Sequence, residues 1–127
     1  MATREKKKAE ARKAARKAAP PKASSKGVRM SARKARAMAD LIRGKTVDEA
    51  ASALAFQQRS AAGPVRKVLD AAVANADERN LDIDRLFVSD VQIDKGPIMR
   101  RFMPRAQGRA TRIRKQTSHI RVELSER

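Results

Sequence analysis

Two hydrophobic periods divide the chain. Between Ser31 and Asn80 apolar residues recur every three or four positions, as on amphipathic helices; from Leu86 onward they alternate, as on strands. The first helical segment starts at Ser31 as N-cap and stops at Gly44, with Ala35, Met38, Leu41 and Ile42 on one side. The second opens on Thr46 with Glu49 three residues on, a capping-box spacing, and carries Val47, Ala50, Ala51 and Leu54. The third begins between Ser60 and Pro64, continues through Val65, Val68, Leu69, Ala72, Val73 and Ala76, and frays near Asn80. These positions imply a core and no ligand, and the many Ala among them allow close helix packing.

Leu86-Phe87-Val88 begins a strand, in which Val91 and Ile93 alternate with Gln92 and Asp94; far downstream Ile120, Val122 and Leu124 alternate with Arg121 and Glu123. These runs are natural antiparallel partners, each with one buried side. Pairing Val91 with Val122 and Ile93 with Ile120 puts the turn between them at Ala106-Gln107, flanked by Pro104 and Gly108, residues that turns favour. From Ile93 to that turn is roughly 40 Å at about 3.3 Å per residue. The pattern thus predicts a hairpin arm over about 94–119, much longer than the domain could cover. A disordered loop is the alternative.

Charge sharpens this picture. The chain of 127 residues has 31 Lys and Arg against 14 Asp and Glu, a net charge of +17. Residues 1–27 hold ten basic and two acidic residues, residues 28–94 eleven and ten, and residues 95–127 ten and two. The middle is an ordinary domain; the excess belongs to the ends and suits a polyanion, most simply a phosphate backbone. Residues 95–119 have eight basic residues and no acidic one. Arg100, Arg101, Arg105, Arg109, Arg112 and Arg114 suit phosphate, to which guanidinium donates two parallel bonds. Arg33, Lys34 and Arg36 crowd the first turns of the first helix, where cations oppose the dipole, and so suggest an external anion; a solvated polar surface is the bland alternative. Residues 1–25 read as a disordered basic extension able to order on a polyanion, leaving 26–127 as a single domain. A transit peptide is the rival, disfavoured by the abundant Lys and by the lack of Ser before position 24.

Other chemistries find no residues. His119 is the only His and Cys is absent, so neither a catalytic dyad nor a His- or thiolate-based metal site can be assembled. Asp82 and Asp84 lack a surrounding ligand set. Gly96-Pro97 and Gly108-Arg109 lack the strand and helix that flank phosphate loops. Phe56, Phe87 and Phe102 are too scattered to form a stacking platform for single strands. No apolar run approaches the roughly 20 residues of a membrane-spanning helix, and none follows the first residues as in a secretory signal. The expectation is no enzyme, metal or cofactor, and recognition of folded RNA through shape and phosphates.

Several stretches together resemble a known family. They are Val28-Arg29-Met30-Ser31 with Arg33-Lys34-Ala35-Arg36, Ala39 to Lys45, Ala74-Asn75-Ala76, Gly96-Pro97, Met103-Pro104-Arg105-Ala106 with Gly108-Arg109-Ala110, and Thr117-Ser118-His119-Ile120. In this order, across 28–125, the chain resembles the large-subunit ribosomal protein L twenty-two family. The resemblance implies an α+β fold, three helices on a small three-stranded antiparallel sheet with a long protruding β-hairpin. It also implies a cytoplasmic ribosomal protein, not a homo-oligomer, with large-subunit ribosomal RNA and neighbouring ribosomal proteins as partners. The hairpin would run through RNA to the wall of the nascent-peptide exit tunnel, near nascent peptide and macrolides. Met99, Arg100, Arg101, Met103, Pro104, Arg105, Ala106, Gln107, Gly108 and Arg109 would lie at that wall. Arg29, Arg33, Lys34, Arg36, Lys45, Ser118 and His119 would contact RNA near the domain, and Lys115 would join the arm's RNA-binding arginines. The chain departs from the family pattern at Ala32, Lys95 and Gln116, where the family has Pro, an acidic and a basic residue; Lys95 removes a negative charge from the base of the arm.

An architectural DNA-binding protein with basic β-arms is the competing class. Met103-Pro104 could serve as its apolar wedge, but such proteins usually dimerise, and the helices offer no second apolar side. A membrane-surface peptide lacks the needed amphipathic basic helix.

Overall fold

The strand β2 (Leu86–Lys95) pairs with β5 (Ser118–Glu126), Val91 opposite Val122 and Ile93 opposite Ile120, the register that the alternation predicts. In the computed structural model, which describes residues 4–127, β5 is central. Its other edge holds β1 (Lys22–Val28), giving an antiparallel sheet of order β1-β5-β2. Leu86, Val88, Val91, Ile93, Ile120, Val122 and Leu124 form its buried side. Val88 and Val91 are three apart yet both point inward, because the register shifts between Val88 and Asp90. This bulge leaves Ser89 outside the ladder, and its hydroxyl donates to the Glu123 carbonyl at 3.0 Å.

Three helices cover the buried side, α2 (Ala32–Ile42), α3 (Val47–Ala55) and α4 (Ala62–Asp77). α4 lies on β1 and β5, α2 on β2, and α3 against both helices. Ala35, Ala50, Ala72 and Ala76 are fully buried where the helices meet. Thr46 and Glu49 form the expected capping box: the Glu49 N–H donates to Thr46 Oγ1 at 3.4 Å, and the Thr46 N–H to Glu49 Oε2 at 3.3 Å. Past the end of α2, Gly44 takes the left-handed φ of +78° that closes a helix.

The α+β class stands, but the described residues contain a fourth helix, α1 (Arg4–Ala18). Residues 1–25, expected to be disordered, thus include a helix and, from Lys22, the start of β1; residues 1–3 lie outside the described region. Ala and Lys favour helix without any apolar stripe, and all of Arg4 to Ala14 is exposed. β1 sits below the boundary expected at residue 26 because backbone contacts hold it. The Leu124 N–H donates to the Pro21 carbonyl at 2.9 Å, Asn75 Nδ2 to the Lys22 carbonyl at 3.0 Å, and the Arg79 guanidinium to the Ala19 carbonyl.

The arm is a separate two-stranded ladder of β3 (Met99–Pro104) and β4 (Ala110–Lys115), with Arg100 opposite Arg114 and Pro104 opposite Ala110. Relative to the β2–β5 ladder its register is shifted by one residue, because residues 96–98 stand opposite only 116–117. The turn therefore centres on Gln107 itself, at φ +61°, followed by Gly108 at φ +67° and closed by the Arg105 N–H donating to the Arg109 carbonyl at 2.7 Å.

At the root the two strands cross closely. The Gly96 N–H donates to the Thr117 carbonyl at 2.8 Å, and the hydroxyl of buried Thr117 donates to the Pro97 carbonyl at 2.6 Å. A Cβ at Gly96 would lie 2.4 Å from Thr117 Oγ1 and 3.2 Å from the Thr117 carbonyl carbon. Gly96→Ala should therefore cost about 1–3 kcal/mol, as overpacking does, read as a lower urea midpoint at unchanged slope. Adding Thr117→Ala, which removes the nearest atom, should give a double variant less destabilised than the sum of the two single changes. An unchanged midpoint for Gly96→Ala would refute the close crossing.

Candidate nucleic-acid interface

The register of the arm sorts its side chains onto two surfaces, since directly opposed residues point the same way. Arg100, Phe102, Arg112 and Arg114 share one; Met99, Arg101, Met103, Ile113 and Lys115 share the other. The first puts Arg100 directly opposite Arg114, a like-charge pair that destabilises a ladder unless an anion lies between or beside the two groups. Residues 100–112 are all exposed, and the arm contributes no carboxylate. Near the turn, Phe102 and Met103 are 68% and 45% exposed. Arg105, Ala106, Gln107, Gly108 and Arg109 form the tip, while Met99, Arg100 and Arg101 lie toward the root. The residues expected at a tunnel wall therefore spread along the whole of β3 and the turn.

A cleft of about 570 Å³ opens at the root, between the start of α2 and the base of the hairpin. Ser31, Arg33, Arg36, Lys95, Arg114 and Gln116 line it, and no carboxylate does. Ser31 makes no side-chain cap bond, so first-turn N–H groups of α2 are left for an external acceptor. Arg33 and Arg36 thus meet the arm's Arg114 in one basic concavity. Arg36 Nη2 also donates to the Ile93 carbonyl at 3.1 Å, which steadies it there. Lys34 is exposed on the same helix. Arg29 reaches the root as well, its Nη1 lying 3.5 Å from Met99 Sδ.

Other expected residues are placed differently. Ser118 is fully buried and its Oγ has no hydrogen-bond partner, which corrects its assignment as an RNA contact. On β5 it shares the inward parity of Ile120, Val122 and Leu124. His119 points the other way, half-buried, and its Nδ1 accepts from the Gly27 N–H at 3.0 Å. Lys45 lies near the far end of the sheet, where its carbonyl accepts from the Val88 N–H at 2.9 Å, and does not join the root cluster. The site reading missed Lys95, whose sequence signal was that it stood as a cation beside Gly96-Pro97. Asp82 and Asp84 have a local role: Asp82 Oδ1 accepts from the Asp84 N–H at 3.3 Å, and its Oδ2 lies 3.3 Å from Arg85 Nε. Among the described residues no three His, Cys, Asp or Glu gather as a metal site, and no helix is long and apolar enough to cross a membrane.

The profile of the family described as "Ribosomal protein L22p/L17e" matches residues 23–125. The chain belongs to this family. Curated relatives named "Large ribosomal subunit protein uL22" include that of Syntrophotalea carbinolica, 51% identical over 107 residues, covering 84% of this chain and 97% of the relative. That of Sorangium cellulosum is 52% identical over 108 residues, with 84% and 96% covered. That of Myxococcus xanthus is 50% identical over 102 residues, with 78% and 90% covered. A member of the L22p/L17e family is a ribosomal protein of the cytoplasm and not an enzyme. The family match begins one residue into β1 and leaves α1 outside.

The opposed arginines give a test with two opposite signs. Arg114→Glu replaces a like-charge cross-strand pair by an attractive one and should leave the free protein as stable or more stable, by a few tenths of a kcal/mol up to about 1. If this surface binds RNA, the same change should weaken that binding about tenfold or more, since it replaces a guanidinium by a carboxylate that phosphates repel. Thermal melting and filter binding measure the two effects; undiminished RNA affinity would remove this surface from the interface.

Proposed function

We propose that the chain is a structural constituent of the large ribosomal subunit that binds large-subunit ribosomal RNA, supports its assembly, and lines the nascent-peptide exit tunnel with the β3–β4 hairpin. The observation that carries this reading is the arm itself, an exposed ladder with Arg100 facing Arg114 and no acidic residue of its own. Anions from another molecule would relieve the repulsion that the arm's own residues leave in place. The family's description as ribosomal and its relatives' names as large-subunit proteins support ribosomal RNA as that molecule.

In this reading Arg100, Arg112 and Arg114 hold phosphates along the arm, joined by Arg101 and Lys115 on the opposite surface. Arg33, Lys34, Arg36 and Lys95 receive RNA at the root, with Arg29 and His119 beside them. Lys45 makes a separate contact at the far end of the sheet. Met99 to Arg101, Met103, Pro104 and the turn Arg105 to Arg109 reach the tunnel wall, where nascent peptide and macrolides pass. Exposed Phe102 and Met103 then have a use near the tip: they offer apolar surface to a wall of bases. The DNA-architectural alternative would use the same two residues as a wedge, but it gives no reason for the family match.

Tagged full-length protein should co-sediment with the large subunit in a sucrose gradient in magnesium-containing buffer. Persistence in free or nucleoid fractions would sink the ribosomal reading. Deleting Met99 to Arg101 should leave large-subunit assembly largely intact while changing growth inhibition by macrolides; an unchanged response would remove the tunnel-wall assignment.

A further inference from the structure

The two concentrations of excess charge leave the domain at opposite ends of the sheet. β1 runs antiparallel to β5, with Lys22 opposite Glu123 and Val28 next to the end of the ladder at Ser118. The arm departs beside Ser118, which faces Lys95. α1 joins beside Glu123, five residues along β5, or roughly 17 Å at about 3.3 Å per residue. Its mount is fixed. Arg79 holds the Ala19 carbonyl, Pro21 is buried and bonded to Leu124, and Asn75 holds the Lys22 carbonyl. Consecutive Pro20 and Pro21 stiffen the joint further.

Taken alone, α1 is poorly stabilised. Every residue from Arg4 to Ala14 is exposed, and no part of the domain covers them. Arg4, Lys8 and Arg12 stand four residues apart on one side, and like charges at that spacing destabilise a helix. Arg4, Lys6, Lys7 and Lys8 oppose the dipole at the N-terminal end, with only Glu5 against them. A helix of 15 residues has little independent stability in water. A polyanion reverses every one of these unfavourable effects. The kind of polyanion follows from what the helix lacks: its only apolar residues are Ala. No Leu, Phe or Trp is present to enter a bilayer, and no apolar stripe is present to dock on protein.

We infer that α1 is a second RNA-binding element, which lies along the phosphate backbone of a ribosomal RNA segment separate from the segments held by the arm. The nearly neutral domain then acts as a spacer between two basic grips. This inference rests on the RNA reading of the arm and extends it to a part of the chain that the family match does not reach.

Three proteins test it: the full chain, the chain lacking residues 2–18, and the chain carrying Lys6→Ala, Lys7→Ala, Lys8→Ala, Arg12→Ala and Lys13→Ala. The last keeps or raises helix propensity while removing charge. Each is bound to in vitro transcribed large-subunit ribosomal RNA in magnesium-containing buffer and mapped by hydroxyl-radical footprinting. The full chain should protect, besides the nucleotides held by the arm, its root and Lys45, a further separate group. Both variants should lose that further group and keep the others, with circular dichroism melting of the domain unchanged. The slope of log affinity against log salt should shrink by about two to three, at about 0.7–0.9 for each phosphate no longer neutralised. If both variants keep every protection, or if the alanine variant keeps what the deletion removes, charge-driven RNA binding by α1 is overturned while the arm's role stands. Failure of the full chain to protect any nucleotide would overturn the RNA reading as a whole. Preference of the full chain for phosphatidylglycerol vesicles over this RNA would also overturn the inference.

Discussion

Because β5 lies between β1 and β2, the long-range order of the molecule runs through the ladder that joins residues 86–95 to residues 118–126. That ladder supplies the inward aliphatic row on which the helices pack. It brings together the two ends of the arm, separated by 22 residues (96–117), at a loop-closure cost that grows only slowly with length. It also offers Leu124 to Pro21 and so seats the start of β1. Without it the arm would have no root and the N-terminal helix no mount. The cleft of Arg33, Arg36, Lys95 and Arg114 would also disperse, since its walls come from both sides of this seam.

The structure also divides the arginines into two kinds, a division that counting charges does not give. Arg43 is committed to the protein: its Nη2 donates to the Val91 carbonyl at 2.8 Å, and Asp40 lies 3.3 Å from its Nη1. Arg121 pairs with Glu123 at 2.6 Å, and Arg79 with the Ala19 carbonyl. The arginines of the arm have little such employment; Arg101 donates only locally, to the Arg100 carbonyl at 2.8 Å and to Met99 Sδ at 4.0 Å. Burial of the aliphatic core and neutralisation of the appendages are therefore separate problems. The chain solves the first by itself, whereas the arm contributes no carboxylate toward the second.

Much of this could be read from residue order, for specific reasons. Val91, Ile93, Ile120 and Val122 fix a register because a slip by one residue would turn an apolar row outward. Thr46 and Glu49, three apart, announce a helix start with its own mechanism. The first strand escaped notice because Lys22, Ser24, Ser25 and Lys26 carry no hydrophobic signal; what holds β1 is its backbone. The first helix leaves no apolar signature because nothing along it asks to be buried. Ser118 was readable and misread, since its parity with Ile120 already placed it inside. The arm's turn was off by half a residue because the extra residue at 96–98 leaves no trace in the apolar pattern.

That extra residue makes the length of the arm a matter of parity. Removing one residue from each strand, as a matched pair, shortens the finger and leaves the remaining cross-strand partners together. An unmatched loss of one residue exchanges the two surfaces over everything beyond it, sending guanidinium groups where methionine and isoleucine had been. Matched steps thus change the reach of the arm while keeping its two surfaces, whereas an unmatched step exchanges them on the strand that loses it.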